Sequence, residues 1–317
     1  MIFNILLLIL GFVLLIKGAD FFVDGAASTA QNFKVSKMLI GLTIIAFGTS
    51  APELAVSIKA LASHSTDLVL GNVMGSCILN SLLILGIAAV INPIKIKDNT
   101  VKKELPLCLL ISTLLVVLFM DIKLSEAKFN VISRGDAIAI LLFFTVFVYY
   151  LVSLATAKKT HEKEEKPKFK LGKSLILVAL GLLGIIFGSD MVVNNATSIA
   201  TKIGLSERII ALTIIAFGTS LPELVTTIVS SKKGEQDLLL GNIVGSNIFN
   251  ICVVLGIPVA IFGSITPGSF QLMDIYMLIL SALLLFLFSE SKRTITRIEG
   301  LLLLLAITCY YLMVFVF

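Results

Sequence analysis

The chain has 317 residues, of which 57% are hydrophobic and only 14% charged, and its mean hydropathy is +1.05. About a quarter of the residues of a soluble globular protein are charged, so a soluble domain is excluded and a membrane protein is expected. The net charge of +5 belongs to loop lysines and arginines and bears on orientation, not on nucleic acid, while Cys77, Cys108, Cys252 and Cys309 all sit in apolar stretches and read as small core residues rather than disulfides.

In chain order the apolar stretches lie at 2–24, 37–60, 67–91, 104–121, 134–156, 171–194, 207–231, 236–262, 270–289 and 297–316. Each is close to the ~20 residues that carry a helix across the hydrocarbon core. The sequence therefore predicts an all-α membrane protein with ten transmembrane helices. A membrane barrel would show alternating segments of about ten residues, and there are none. The first stretch lacks a basic start, meets its first cation only at Lys17, and outruns the apolar core of a signal peptide, so it is expected to stay as a span. If the amino terminus is outside, 18 of the 25 lysines and arginines fall on the inner side. The positive-inside rule then puts both termini outside and the linker "AKKTHEKEEKPKFK" (157–170) in the cytoplasm.

The second half of the chain repeats the first at an offset of 170. "GADFFVDGAASTA" (18–30) faces "GSDMVVNNATSIA" (188–200), "LTIIAFGTSAPEL" (42–54) faces "LTIIAFGTSLPEL" (212–224), and "LVLGNVMGSCILN" (68–80) faces "LLLGNIVGSNIFN" (238–250). The expected domains are a five-helix repeat over 1–156, the linker, and a second five-helix repeat over 171–317. Five is odd, so the second repeat must enter the membrane inverted, an arrangement that recurs in secondary transporters with a binding site near the midplane.

Glu53 and Glu223 fall near the middle of the second and seventh stretches, where a charge costs several kcal/mol and marks a functional site. On a helix, Ala46, Thr49 and Glu53 share a face, as do Asn72, Ser76 and Asn80, and the same holds for Asn242, Ser246 and Asn250. Carboxylates, hydroxyls and amide oxygens are hard donors that suit Ca²⁺, Mg²⁺ or alkali ions rather than Zn²⁺ or Cu²⁺. Pro52 has no amide hydrogen and clashes with the carbonyl of Gly48, so a break here would free main-chain carbonyls, tolerated in a membrane only beside a cavity or inside protein. Gly71 and Gly241, before the asparagines, are expected either to loosen the third and eighth stretches or to allow them to pack closely.

"GTSAPEL" with "GNVMGSCILN", and "GTSLPEL" with "GNIVGSNIFN", resemble the two α-repeats (41–80 and 211–250) of the sodium/calcium exchanger branch of the cation/Ca²⁺ antiporter superfamily. The resemblance runs the length of the chain and implies Na⁺/Ca²⁺ antiport by alternating access, with no cofactor. It implies Ca²⁺ ligation by Glu53, Glu223, Thr49 and Thr219 with the carbonyls of Ala46 and Ala216. It implies Na⁺ sites lined by Ser50, Ser76, Ser220 and Ser246 together with Glu53, Glu223, Ala46 and Ala216. Asn72, Asn80, Asn242 and Asn250 would line the site. Some members carry Asp where Asn250 stands, so two acids rather than three are implied at the centre, and sodium/calcium exchange without potassium. The 14-residue linker is too short for the calcium-sensing domains of animal exchangers.

The partners expected are Ca²⁺, Na⁺ with H⁺ as a competitor, and the lipid bilayer, with no nucleic acid and no obligate protein partner. An H⁺-coupled divalent-cation antiporter is the alternative, although that branch carries a different repeat phrase. A channel would need a continuous pore. An intramembrane enzyme would need a nucleophile or metal triad, and His64 and His161 lie in loops without companions at useful spacing.

Overall fold

The structure, a computed structural model of the chain, describes residues 2–124, 130–156, 166–204, 216–266 and 272–316. Expectations for 157–165 of the linker, for 207–215 of the seventh stretch with the start of the second repeat phrase, and for 270–271 lie outside the described residues.

Helix α1 (Ile2–Asn32) is followed by a broken pair, α2 (Lys37–Thr49) and α3 (Ala51–Ala62), and then by α4 (Thr66–Ile91), α5 (Leu105–Leu118) and α6 (Arg134–Thr156). The second half runs through α7 (Leu171–Lys202), a short α8 (Ala216–Thr219), α9 (Leu221–Lys232), α10 (Gln236–Phe262), α11 (Leu272–Lys292) and α12 (Arg297–Val316). Among the described residues seven helices are long and apolar enough to cross a membrane, or eight with α2 and α3 as one bent span. Of the ten expected spans, the remaining two are α5, whose 14 residues follow a π-helical turn at Thr100–Glu104, and the seventh stretch, described only from residue 216. The chain is thus an all-helical, multi-pass membrane protein. Among the described residues, a small sheet pairs β1 (Ile94–Lys95) antiparallel with β2 (Thr294–Ile295).

Two helices outrun their apolar stretches. Hydropathy falls after residue 24, yet α1 continues to Asn32 because "AASTAQ" holds no helix breaker, and the Thr29 hydroxyl donates back to the Gly25 carbonyl at 2.7 Å. Asn32 closes the helix, its amide donating to the carbonyls of Ser28 and Phe169, both at 2.8 Å. Likewise α7 runs to Lys202 rather than 194.

The chain divides into two compact units, one of 1–52 with 154–242 and the other of 53–153 with 243–317. In the first, α1 and α7 pack antiparallel with their backbones in direct contact. A Cβ on Gly181 would lie 2.5 Å from the Phe22 amide nitrogen, and one on Gly188 2.6 Å from that of Leu15. Small residues let membrane helices approach this closely, and close packing holds them where lipid supplies no hydrophobic drive. Ala19, Phe22, Val23, Ala26 and Ile185 form the core of this contact, reaching Ile45, Val229 and Leu238. Asp20 and Asp24 continue the same helix into an ion-pair cluster: Lys233 Nζ lies 3.3 Å from Asp20 and 2.9 Å from Asp24, and Lys168 Nζ lies 2.9 Å from Asp24. Asp20, inside α1, is thus paired with Lys233, while its repeat counterpart Asp190 is exposed.

In the second unit, α4 and the later part of α10 are the most deeply buried elements. Both widen into π-helical turns, at Leu79–Ile84 and Asn250–Leu255. Gly86 of α4 and Gly300 of α12 meet at each other's carbonyl oxygens, 3.0 and 2.9 Å from where a Cβ would stand. Arg293, in the turn before α12, pairs with Asp98 at 2.9 Å and Glu290 at 2.7 Å, contacts that raise its pKa above the ordinary value.

Candidate functional site

From Ala46 and Ala216 onward the repeated phrase folds the same way in both halves. Ser50 (φ −89°, ψ 5°) and Ser220 (φ −87°, ψ 3°) leave helical geometry and separate α2 from α3 and α8 from α9, with a 44° bend at the first break. Proline therefore does not itself sit at the break. Pro52 and Pro222 occupy the second position of the following helix, where a missing amide hydrogen has no intrahelical partner to lose. The Ala46 carbonyl is not stripped by the break, since it accepts the Ser50 amide at 3.0 Å, and its second lone pair is what remains for a ligand.

Next after each proline comes the glutamate, so Glu53 and Glu223 stand in the first turn of α3 and α9, where the helix dipole favours a negative charge. Both are buried, at 0% and 1% exposure, which rules out carboxylates reaching the interface. Glu223 Oε1 accepts the Ser50 hydroxyl at 3.1 Å, while Glu223 Oε2 is buried with no hydrogen-bond partner. A buried carboxylate oxygen left so is costly, unless a cation or proton completes it.

The asparagine after each glycine engages the glutamate helix. In the first repeat Asn72 Nδ2 donates to the Glu53 carbonyl and to Ser57 Oγ, both at 2.9 Å. In the second, Asn242 Nδ2 donates to Thr227 Oγ1 at 3.2 Å, and Asn242 Oδ1 accepts the Thr49 hydroxyl at 3.1 Å. Gly241 permits this approach, because a Cβ there would lie 2.8 Å from the Gly41 Cα. Of the two roles expected for Gly241, loosening or close packing, the second is the one this contact shows.

Asn80 and Asn250 sit in the two π-helical turns, a distortion frequent at functional sites. Asn80 Nδ2 donates to Asn247 Oδ1 at 3.1 Å, and Asn247 Nδ2 to Ser81 Oγ at 2.8 Å. Asn250 is fully buried with neither amide atom hydrogen-bonded. Ser76, Ser220 and Ser246 are buried, Thr219 is half-buried at the end of α8, and Ala216 opens that helix. Within the first unit the structure therefore brings together Thr49 with Asn242 and Ser50 with Glu223, and within the second Glu53 with Asn72.

Sequence reasoning missed three participants. Ser57 and Thr227 each lie four residues after a glutamate and 170 apart, a signal that was present. Asn247 faces Cys77 in the repeat and had none. The two touch, the Cys77 thiol donating to the Asn247 carbonyl at 3.8 Å.

A family model described as "Sodium/calcium exchanger protein" matches residues 3–153 and 173–316. The chain is 38% identical over 313 residues to the putative antiporter CaxA of Alkalimonas amylolytica, covering 97% of each. It is 30% identical to the sodium/calcium exchanger MaX1 of Methanosarcina acetivorans, covering 98% of each. Among solved structures, the sodium-calcium exchanger NCX_Mj soaked with 10 mM Na⁺ and zero Ca²⁺ matches with a TM-score of 0.85 at 32% identity, over 99% of this chain and 98% of that one.

Proposed function

The chain belongs to the sodium/calcium exchanger protein family, a cation/Ca²⁺ antiporter in a membrane, and from that premise we propose that it exchanges Na⁺ for Ca²⁺ by alternating access. The observation that carries this reading is Glu223: a carboxylate fully inside the protein, at a helix start, with one oxygen held by a serine hydroxyl and the other without a partner. Its repeat twin Glu53 is as deeply buried.

In this reading Glu53 and Glu223 are the principal Ca²⁺ ligands, completed by Thr49, Thr219 and the carbonyls of Ala46 and Ala216. Ser50, Ser76, Ser220 and Ser246, with the same glutamates and alanine carbonyls, take Na⁺, and Asn80 and Asn250 line the site. Hard oxygen donors throughout favour these cargo ions. The two carboxylates repel each other in an apolar medium, and one Ca²⁺ or a set of Na⁺ ions cancels their charge. Only the neutralised protein switches sides, and this couples the two gradients. The repeats are two inverted sets of five spans, a reading supported by the antiparallel pairing of α1 with its own copy α7. Those two helices move as one body against the other eight, with both termini outside and the 157–170 linker in the cytoplasm.

Counterflow tests the reading. Purified protein in liposomes should take up radiolabelled Ca²⁺ only when Na⁺ is loaded on the opposite side, and a pH gradient should neither replace nor enhance it. Uptake driven by protons alone would promote the H⁺-coupled alternative, and uptake with no counter-ion would point to a channel.

A further inference from the structure

We propose that Asn242 is a positioning residue that leaves two oxygens of the first repeat free for the cation, and is not itself a ligand; this rests on the exchange reading above. The direction in which the amide points decides its role. Asn72, the register equivalent of Asn242, reaches a main-chain carbonyl at Glu53, and a carbonyl only accepts, so the NH₂ group must face the glutamate helix. Asn242 has the same orientation, with Nδ2 on Thr227 Oγ1. Its Oδ1 then faces Thr49, whose hydroxyl carries the only proton available between them.

That proton has three acceptors around it, the third being the Glu223 carboxylate, which Thr49 also engages. Asn242 Oδ1 is at 3.1 Å and the Ala46 carbonyl at 3.4 Å, and one hydroxyl hydrogen serves one of them well. With the proton on Asn242, the Thr49 lone pairs point away from it, and the Ala46 carbonyl carries only the Ser50 amide. Without Asn242 the hydroxyl turns to the Ala46 carbonyl or the Glu223 carboxylate, so a hydroxyl lone pair and a lone pair of the oxygen it turns to are lost together. Asn242 thus acts on a cation it need not touch, as outer-shell partners commonly do.

A double-mutant cycle on Ca²⁺ uptake into Na⁺-loaded liposomes tests the assignment. Asn242→Ala should raise the KM for Ca²⁺ by about 10–100-fold, the usual loss for an outer-shell partner. Thr49→Val should do the same, and the double variant should be no worse than Thr49→Val alone, because Asn242 acts through Thr49. Thr227→Val, which removes the anchor of the Asn242 amide, should resemble Asn242→Ala, and Thr227→Ser should restore the wild-type KM. If Asn242→Ala does not assemble, Thr227→Val takes its place in the cycle with Thr49→Val. A double variant whose KM is the product of the two single effects, or a Thr227→Val protein with wild-type KM, overturns the assignment. Neither result touches the exchange reading, which stands or falls on whether wild-type uptake requires Na⁺.

Discussion

Glu223 Oε2 and both amide atoms of Asn250 are buried without a hydrogen-bond partner, in contrast to roughly nine in ten buried polar groups in proteins. The two oxygens among them, Glu223 Oε2 and Asn250 Oδ1, are expected to meet the transported ions, and three substitutions separate that role from a structural one. Glu53→Gln and Glu223→Gln should each abolish Na⁺-dependent Ca²⁺ uptake while the purified protein remains monodisperse by size exclusion. Robust uptake by either would remove the carboxylates from the mechanism. Asn250→Leu loses no hydrogen bond within the protein, so thermal stability in detergent should hold or rise while uptake falls. A loss of stability equal to the loss of transport would make Asn250 a packing residue. These positions were legible in the sequence because an acid or amide repeated at a fixed offset stands out against apolar neighbours. Ser57 and Thr227 were in register too, but a hydroxyl inside a helix commonly bonds its own preceding turn and so signals nothing by itself. Asn247 was hidden because its register partner is a cysteine.

At the scale of elements, the contact between α1 and α7 separates one glycine from another. Gly181→Ala would press a Cβ to 2.5 Å from the Phe22 nitrogen, main chain that cannot rotate away, whereas nothing lies within 4 Å of a Cβ on Gly172 of the same helix. Gly181→Ala should therefore destabilise the protein by about 1–3 kcal/mol or more, and Gly172→Ala should be neutral or slightly stabilising by helix propensity. Thermal unfolding of the two variants side by side checks this, and equal midpoints would refute the close approach. The broken helices were readable from Gly48, Pro52 and their copies, although the break itself falls at Ser50, since proline is tolerated in the first turn that follows. The π-helical turns were not readable. One extra residue in a turn leaves no mark in composition, and hydropathy follows lipid contact rather than helix length, which is why α1 and α7 run past their apolar limits.

For the whole molecule, the asymmetry of lysine and arginine sets an orientation that one measurement resolves. An alkaline phosphatase fused after Phe317 should be active, because the carboxyl terminus is expected outside, and the same reporter in the 157–170 linker should be silent. The reverse pattern would invert the protein in the membrane. Lys233 and Lys168, which clamp Asp24, would then lie on the outer side, so the experiment also decides which compartment's ionic strength acts on this partly exposed cluster.

Gly11 and Gly18 of α1 correspond, at an offset of 170, to Gly181 and Gly188 of α7. A Cβ on Gly18 would sit 2.8 Å from the Gly181 oxygen and one on Gly181 2.8 Å from the Gly18 oxygen; the pair Gly11 and Gly188 gives 3.1 and 2.9 Å. Exchanging the two helices returns the same contacts, which is the signature of an isologous interface between identical subunits about a two-fold axis. The α1–α7 contact thus has the geometry of a homodimer interface. Held in one chain, the two copies need not be alike: Asp24 and Lys233 form their ion pair where the corresponding residues are Asn194 and Ser63, an asymmetry that two identical subunits could not carry.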